Sequence, residues 1–388
     1  MTSVFVIFGI ISCILAIAGC IQLAFGTWFL TRFLQQKETL SAVSSWPPVT
    51  ILKPLCGVEP FLEEALESFC TQDYPDFQIL FGIHDTNDPA LTIVQRLCDR
   101  YPHRHFQIVI DPALHGLNRK ISNIINLLPY IQHDFLVISD SDIHVKPDYL
   151  RHVVTALHKP NTGLVTTLYA GLPINNSIVQ ALAACQINHS FLPGVLLSRH
   201  LGRRDCLGAT MALQRHILDS IGGFDALLHH VADDAVLGKL VRQQQLDITL
   251  APCLTWTTIT ESCLQELLQH ELRWGRTIYA VAPLGYISSS LQLPLFWASL
   301  SIIFLHNTFL LITIFFCFIW GFYAWLVSMI DRSVGYHKLW TLFLLPLRDW
   351  LSAIVMVGSM SGTKVHWRGQ TLHLTKQTIP QSHLSSDR

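Results

Sequence analysis

Two stretches of this chain carry no charged side chain over a length sufficient to cross a membrane, and any fold it adopts has to place them. Val4 to Leu30 and Leu291 to Ile330 contain no Lys, Arg, Asp or Glu. A helical crossing of the ~30 Å hydrocarbon core takes about 20 apolar residues, so the first stretch is long enough for one span and the second for roughly two. The turn in the second is expected near His306 and Asn307. The N-terminal stretch lacks the basic start and small-residue cleavage site of a signal peptide, and residues 1–32 read as a retained anchor. A third apolar segment, Leu339 to Met360, is interrupted by Pro346, Arg348 and Asp349. Ionisable side chains inside a span are costly unless they face protein or water, so this segment reads as re-entrant or spanning, ahead of a polar tail over 361–388. Arg32 and Lys37 follow the first span and no basic residue precedes it, which predicts an outside N-terminus and a cytosolic middle domain.

Composition agrees with a partly membrane-embedded protein, since 50% of the residues are hydrophobic and only 14% charged. A net charge of -1 without a long basic run supplies no field for nucleic acid. The ten cysteines form no CxxC pair and read as reduced thiols, and the nineteen histidines contain no HExxH. Between the apolar ends, VTILKPL, FQILFGIHD, FQIVID, FLVISDSD and GLVTTLY are brief, β-branched and punctuated by Pro, Gly or Asp, which predicts buried strands. Helical patterns separate them over Glu59 to Gln72, Pro89 to Arg100, Leu117 to Ile131 and Pro147 to His158. The alternation predicts a mostly parallel α/β sheet covered on both faces, with ligands beyond the carboxyl ends of its strands.

Two of those strands end in acids, one at Asp85 and one at Asp140 and Asp142. Carboxylates at alternate positions can share a hard divalent cation such as Mg²⁺ or Mn²⁺. Read alone, the DSD segment is equally a polar turn, although its place after a buried FLVI run favours the ligand edge. Downstream, VADD puts Asp233 and Asp234 at the start of an amphipathic helix, where acids also suit the helix dipole. The segment LLQHELRWGRTIYA presents His270, Arg273 and Trp274 within about one helical turn, a pattern shared with interfacial membrane helices.

Taken in order, Asp85, the Asp140/Asp142 pair, the couple ending in Asp234, and HxxRW resemble the D, DxD, D, (Q/R)xxRW series of inverting family-2-type glycosyltransferases. More narrowly, the chain resembles the ceramide glucosyltransferase family. That likeness rests on VTILKPLCGVEP, the QDYP turn, HDTNDPA, and GLNRKISNI with Asn118, Lys120 and Asn123. CLGATMAL, IGGF, VADD, LRDWLSA and VHWRG look most like its bacterial hopanoid-biosynthesis branch. His270 departs from the Gln or Arg of the wider group.

The resemblance implies a GT-A fold over 46–286, with transmembrane helices in residues 287–330 and the further segment 339–360. It implies a UDP-sugar donor bound through Asp85, Asp140, Lys120 and Asn118, with Asp142 and Asp140 on Mg²⁺ or Mn²⁺. Asp234 would be the general base, with Asp233 beside it, and Arg273, Trp274 and His270 would complete the catalytic set. The implied acceptor is a lipid: a polyol hopanoid receiving N-acetylglucosamine at a bacterial inner membrane, or ceramide receiving glucose. A processive polysaccharide synthase would share the acids but needs more spans for a channel, and a polymer product would reveal it. A non-catalytic scaffold would turn over no UDP-sugar.

Overall fold

The computed structural model describes residues 2–36, 45–336, 338–362, 364–367 and 370–373. Lys37, Arg368 and the tail beyond His373, with Lys376, lie outside the described residues. The chain divides into two compact units, one built from Gln36–Ile174 and Arg204–Thr260, the other from Met1–Gln35, Asn175–Arg203 and Glu261–His373. It opens on helix α1 (Thr2–Leu34), whose one charged residue is Arg32 in the last turn.

The first unit is a single eight-stranded sheet. Its strands are β1 (Val49–Pro54), β2 (Phe77–Ile83), β3 (His105–Ile110), β4 (Phe135–Ser139), β5 (Ile143–His144), β6 (Thr162–Pro173), β7 (Thr210–Gln214) and β8 (Asp247–Ile259), in the order β3-β2-β1-β4-β7-β6-β8-β5. Strands β3, β2, β1 and β4 run parallel. Strand β7 is antiparallel to both β4 and β6, and β5 to β8, while β6 and β8 are parallel. The sheet is therefore mixed but mostly parallel, as the alternation of strand and helix predicts: β1, β2, β3, β4, β6 and β8 share one direction and β5 and β7 oppose it. The two opposed strands, β5 and β7, are with β8 the ones that no apolar run in the sequence announces. The first is a two-residue bridge, TMALQ has a single β-branched residue, and DITLAPCLTWTTI carries Pro252 in its middle, so none gives a clear strand signal.

Successive side chains point to opposite faces of a strand, and both faces here are buried. Ile51, Ile79, Phe81 and Val137 enter one core with α2 (Leu62–Cys70), α3 (Ala90–Arg100) and α5 (Tyr149–Leu157). Leu52, Leu80, Leu136 and Ile138 enter the other with α4 (Arg119–Leu127), α8 (Arg215–Ser220) and α9 (Asp233–Gln243). The strand segments are continuously apolar for this reason.

The second unit gathers the apolar helices. With α1 it holds α6 (Ile178–Cys185), a π-helical turn over Gln186–Phe191, α7 (Leu192–His200), α10 (Leu264–Val281), α11 (Pro283–Ser288), α12 (Pro294–Phe304), α13 (Phe309–Val334) and α14 (Leu345–Met360). A short hairpin of β9 (Lys364–Trp367) and β10 (Gln370–His373) follows. Val4–Leu34, Phe309–Val334 and Leu339–Met360 are each long and apolar enough to cross a membrane, and Pro283–Gln292 with Pro294–Phe304 forms a further apolar pair bent by 69°. Pro346 lies in the first turn of α14, where its missing N–H leaves no bond unmade. Two buried acids of these segments have partners. The Asp349 carboxylate accepts from the backbone N–H of Leu295 at 2.8 Å and Phe296 at 3.4 Å, at the start of α12, and Asp331 pairs with His189 Nε2 at 2.7 Å. That satisfies the requirement that intramembrane charge face protein.

Close contact between α4 and β2 depends on Gly82. A Cβ there would stand 1.9 Å from Asn123 Oδ1 and 3.2 Å from Leu127 Cδ2. Asn123 is itself committed, its Nδ2 donating to Gly82 O at 2.9 Å and Leu55 O at 3.3 Å. Gly82→Ala is expected to cost about 1–3 kcal/mol, the usual range for overpacking a core. A lowered unfolding midpoint of the purified protein checks this, and an unchanged midpoint would mean that α4 can move away.

Candidate active site

The carboxyl edge of β1, β2 and β4 is where side chains from distant segments converge. Lys120, in the first turn of α4, places Nζ 2.7 Å from Asp140 Oδ1 after β4 and 3.2 Å from Asp233 Oδ2 at the start of α9. The second contact lies within ion-pair range but does not make a hydrogen bond, since Asp233 Oδ2 has no such partner. Burial disfavours the ammonium, but the charges of Asp140 and Asp233 outweigh it and hold Lys120 above the ordinary amine range. Beside them, burial and the charge of Asp233 raise Asp234 to about 7, against the opposing pull of Lys120. The Asp234 carboxylate accepts from the N–H of Ala235 at 2.7 Å. A Cβ on Gly208 would sit 3.3 Å from its Oδ2, so the glycine of CLGATMAL leaves that carboxylate room.

Asp142 faces the same edge. Its carboxylate accepts from Thr257 Oγ1 and its carbonyl from the N–H of Thr258 at 3.2 Å, which ties the DSD turn to β8. Burial, then the charge of Asp140, pushes the Asp142 carboxyl upward. Beneath the turn lies Lys53, fully buried at the end of β1. Its Nζ donates to the carbonyl of Asp140 at 2.6 Å and sits 3.7 Å from the centre of the Phe69 ring. Burial lowers this lysine to about 7, with Asp142 and Asp140 opposing. Lys53 and Thr257 are absent from the sequence-derived set. A lone lysine inside VTILKP is a signal in the sequence, since a charge in a buried strand needs a partner, whereas nothing marks Thr257.

Other motif residues have structural work. Asn118 caps α4, accepting from the N–H of Ile121 at 3.1 Å, and its Nδ2 donates to the carbonyl of His230 at 3.0 Å. Its own N–H reaches Leu228 O at 2.9 Å. Asn118 thus ties the start of α4 to the loop leading into Asp233. Asp85 stays on an exposed turn after β2, accepting from the N–H of Asn87 at 2.9 Å. Asp88 of HDTNDPA binds the N–H of Gly57 through both oxygens, at 3.1 and 2.9 Å.

In the helical unit, α10 carries His270, Arg273 and Trp274, all half-buried. Glu261 binds His270 Nδ1, and the Trp274 ring meets the imidazole edge-on at 4.4 Å. Glu261 is a further residue that motif reading misses, because it lies outside HxxRW. Asp140, Lys120, Asp233 and Asp234 therefore form one cluster on the sheet unit, Asp142 is anchored beside it, and the HxxRW residues belong to the other unit.

A mixed sheet with helices on both faces and carboxylates at its carboxyl edge is the GT-A class of glycosyltransferase fold, here joined to apolar helices near both ends of the chain. The chain belongs to glycosyl transferase family 21, which matches residues 11–379. Ceramide glucosyltransferase 1 of Caenorhabditis elegans is 24% identical over 231 residues, 58% of this chain and 50% of that protein. The chain thus spans half the length of that relative. Ceramide glucosyltransferase 3 of the same organism is 21% identical over 338 residues, 85% of this chain and 73% of that one. Among solved structures, the mannosyltransferase PcManGT from Pyrobaculum calidifontis in complex with GDP-Man and Mn2+ gives a TM-score of 0.49 at 15% identity, covering 90% of this chain and 99% of that chain.

Asn118→Ala removes a buried cap and the link to His230 together. Loss of an N-cap alone costs about 0.5–2 kcal/mol, and the abandoned His230 carbonyl adds about 1 kcal/mol. Chemical denaturation of the full chain in detergent is expected to show a loss in that combined range. An unaltered midpoint would mean that the loop before Asp233 is held by other contacts.

Proposed function

We propose that this family 21 glycosyltransferase transfers one sugar from a UDP-sugar to the hydroxyl of a membrane lipid, in a single displacement that inverts the anomeric carbon. The observation that carries this reading is the Asp140–Lys120–Asp233 ion-pair cluster with Asp234 at its side. A general base works best with a pKa near the operating pH, and a carboxyl raised to about 7 meets that condition. Asp234 takes the proton of the acceptor hydroxyl as its oxygen attacks C1 from the face opposite UDP. Asp233 keeps Asp234 basic, and Lys120 supplies positive charge near the departing diphosphate. Asp85 accepts from the uracil or ribose, Asn118 holds Lys120's helix in place, and Arg273 opposes charge developing on the leaving group. Trp274 offers an apolar wall to sugar or acceptor, next to His270.

Asp140 and Asp142 suit a divalent cation, because they are hard oxygen donors two residues apart, and burial with the charge of Asp140 raises the Asp142 carboxyl, which a cation would offset. Mg²⁺ or Mn²⁺ held by Asp142 and Asp140 would neutralise diphosphate charge as a Lewis acid. Lys53 and Thr257 hold the two acids in register for it.

The apolar helices support a lipid acceptor, which can present its hydroxyl at headgroup level while a soluble donor enters from water. Arg32, closing α1, supports a cytosolic catalytic unit, at the inner membrane if the source is bacterial. The LRDWLSA and VHWRG elements favour N-acetylglucosamine transfer to a polyol hopanoid such as bacteriohopanetetrol. The names of the worm relatives favour glucose transfer to ceramide. Membranes carrying the protein, given labelled UDP-sugars and lipid extract, separate the two by which lipid becomes labelled.

Asp142→Ala is expected to abolish metal-dependent UDP binding, measured by titrating UDP with and without Mn²⁺; unchanged Mn²⁺ dependence would move the cation elsewhere. Asp234→Asn keeps shape but cannot accept a proton, so turnover should fall by about 10²- to 10⁴-fold while UDP affinity survives. Wild-type turnover should rise with pH through about 7, as Asp234 loses its proton, and level off above. That rising limb should vanish in Asp234→Asn. Near-normal glycosylation by the variant would transfer the role to Asp233.

A further inference from the structure

Arg348 lies in the third apolar segment, where an unpaired charge would be prohibitive, and it is only 2% exposed. Its Nη1 and Nη2 each meet one carboxylate oxygen of Glu271 at 2.7 Å, a bidentate pair. Nη1 also donates to the carbonyl of Leu182 at 3.2 Å, while Nε and Nη2 reach Ser352 Oγ at 3.1 and 3.0 Å. Ser352 in turn donates to Gln186 Oε1 at 3.1 Å. Three helical segments thus meet on one guanidinium. Burying two charges is costly, and such a pair is weak evidence for stability; what it does supply is a single geometry.

That geometry bears on α10. Leu267, Glu271 and Gly275 are its buried residues, spaced four apart along one face. At Gly275 a Cβ would stand 2.3 Å from Ser359 Oγ and 2.4 Å from Tyr286 Oη, and at Gly358 one would stand 3.0 Å from Leu272 Cδ2. Helices α10 and α14 therefore touch closely along this face. By helix geometry His270 and Trp274 flank this face, and Arg273 lies on the side of α10 away from it. At 3.6 residues per turn, a slip of one residue in the packing of α10 would swing all three by about 100°. Apolar contacts alone discriminate weakly between such neighbouring settings, whereas a fork of two short hydrogen bonds admits one.

We infer that Glu271 and Arg348 are positioning residues for sugar transfer: their buried ion pair sets the rotation of α10 and so the direction in which His270, Arg273 and Trp274 face. The inference rests on the proposed glycosyltransferase reading for its effect on turnover, but not for its effect on Trp274 itself.

The test uses the full chain in nanodiscs, labelled with 5-fluorotryptophan, with the Trp274 resonance assigned by its loss in Trp274→Phe. Glu271→Gln and Arg348→Lys are each expected to shift or broaden that resonance. They should also lower kcat by about ten-fold or more with KM for the UDP-sugar nearly unchanged, as misplacement of a catalytic group does. The exchanged pair Glu271→Arg with Arg348→Glu should recover part of both signals, and it guards against a single variant that fails to fold. A pair that merely stabilises the bundle would lower the unfolding midpoint while leaving the Trp274 resonance and the kcat of folded protein unchanged, which would overturn the inference. If the wild type turns over no donor, the glycosyltransferase reading fails, and the fluorine spectrum still decides the positioning role.

Discussion

Lys120 stands between two carboxylates that arrive from different parts of the sheet unit, and the local order of the site depends on that charge. Asp140 comes from the end of β4 and Asp233 from the start of α9. Without a cation between them, two partly buried carboxylates repel one another. The lysine reaches them because α4 begins where Asn118 caps it and where that same side chain holds the loop before α9. Lys53 supports the DSD turn from the core side, so two lysines of the same unit flank it. One residue later in α9, Asp234 is left basic near neutrality by burial and by Asp233. In the proposed reaction, that separation of roles lets one acid accept a proton while its neighbours handle the diphosphate.

Charge in the helical unit obeys the opposite constraint. Water is scarce along apolar helices, so each ionisable side chain needs a protein partner. Asp349 finds it in the backbone at the start of α12, Asp331 in His189, and Arg348 in Glu271. Each contact joins segments far apart in sequence, which makes these polar groups the markers of how the helices are arranged. Leu and Phe contacts along the same helices specify far less, because many rotations bury similar apolar area.

Much of the architecture was legible because it depends on periodicity and on local chemistry. VTILKPL, FQILFGIHD and FLVISDSD read as strands since their side chains are apolar on both faces, and both faces prove to be covered. The acids at strand ends were legible for the same reason. By contrast, β7 and β8 were hidden: their strand character comes from neighbours that complete their hydrogen bonds, and that information lies elsewhere in the chain. Strand β7, antiparallel to β4 and β6, and the two-residue β5, antiparallel to β8, make an otherwise parallel sheet a mixed one.

The motifs divide in the same way. Asn123 and Asp88, both inside family-like segments, turn out to satisfy backbone groups at Gly82 and Gly57. The sequence alone determined the apolar segments, the principal parallel strands, the acids at their ends and the helix bearing HxxRW, because each follows from residue type and short-range spacing. Tertiary structure alone decided that Lys120 would join Asp140 to Asp233, that Lys53 would sit under the DSD turn, and that Arg348 would clasp Glu271. Those contacts span from 20 to 113 residues of chain, and polar contacts over such separations are selected by the packing that buries both partners, which no local pattern encodes.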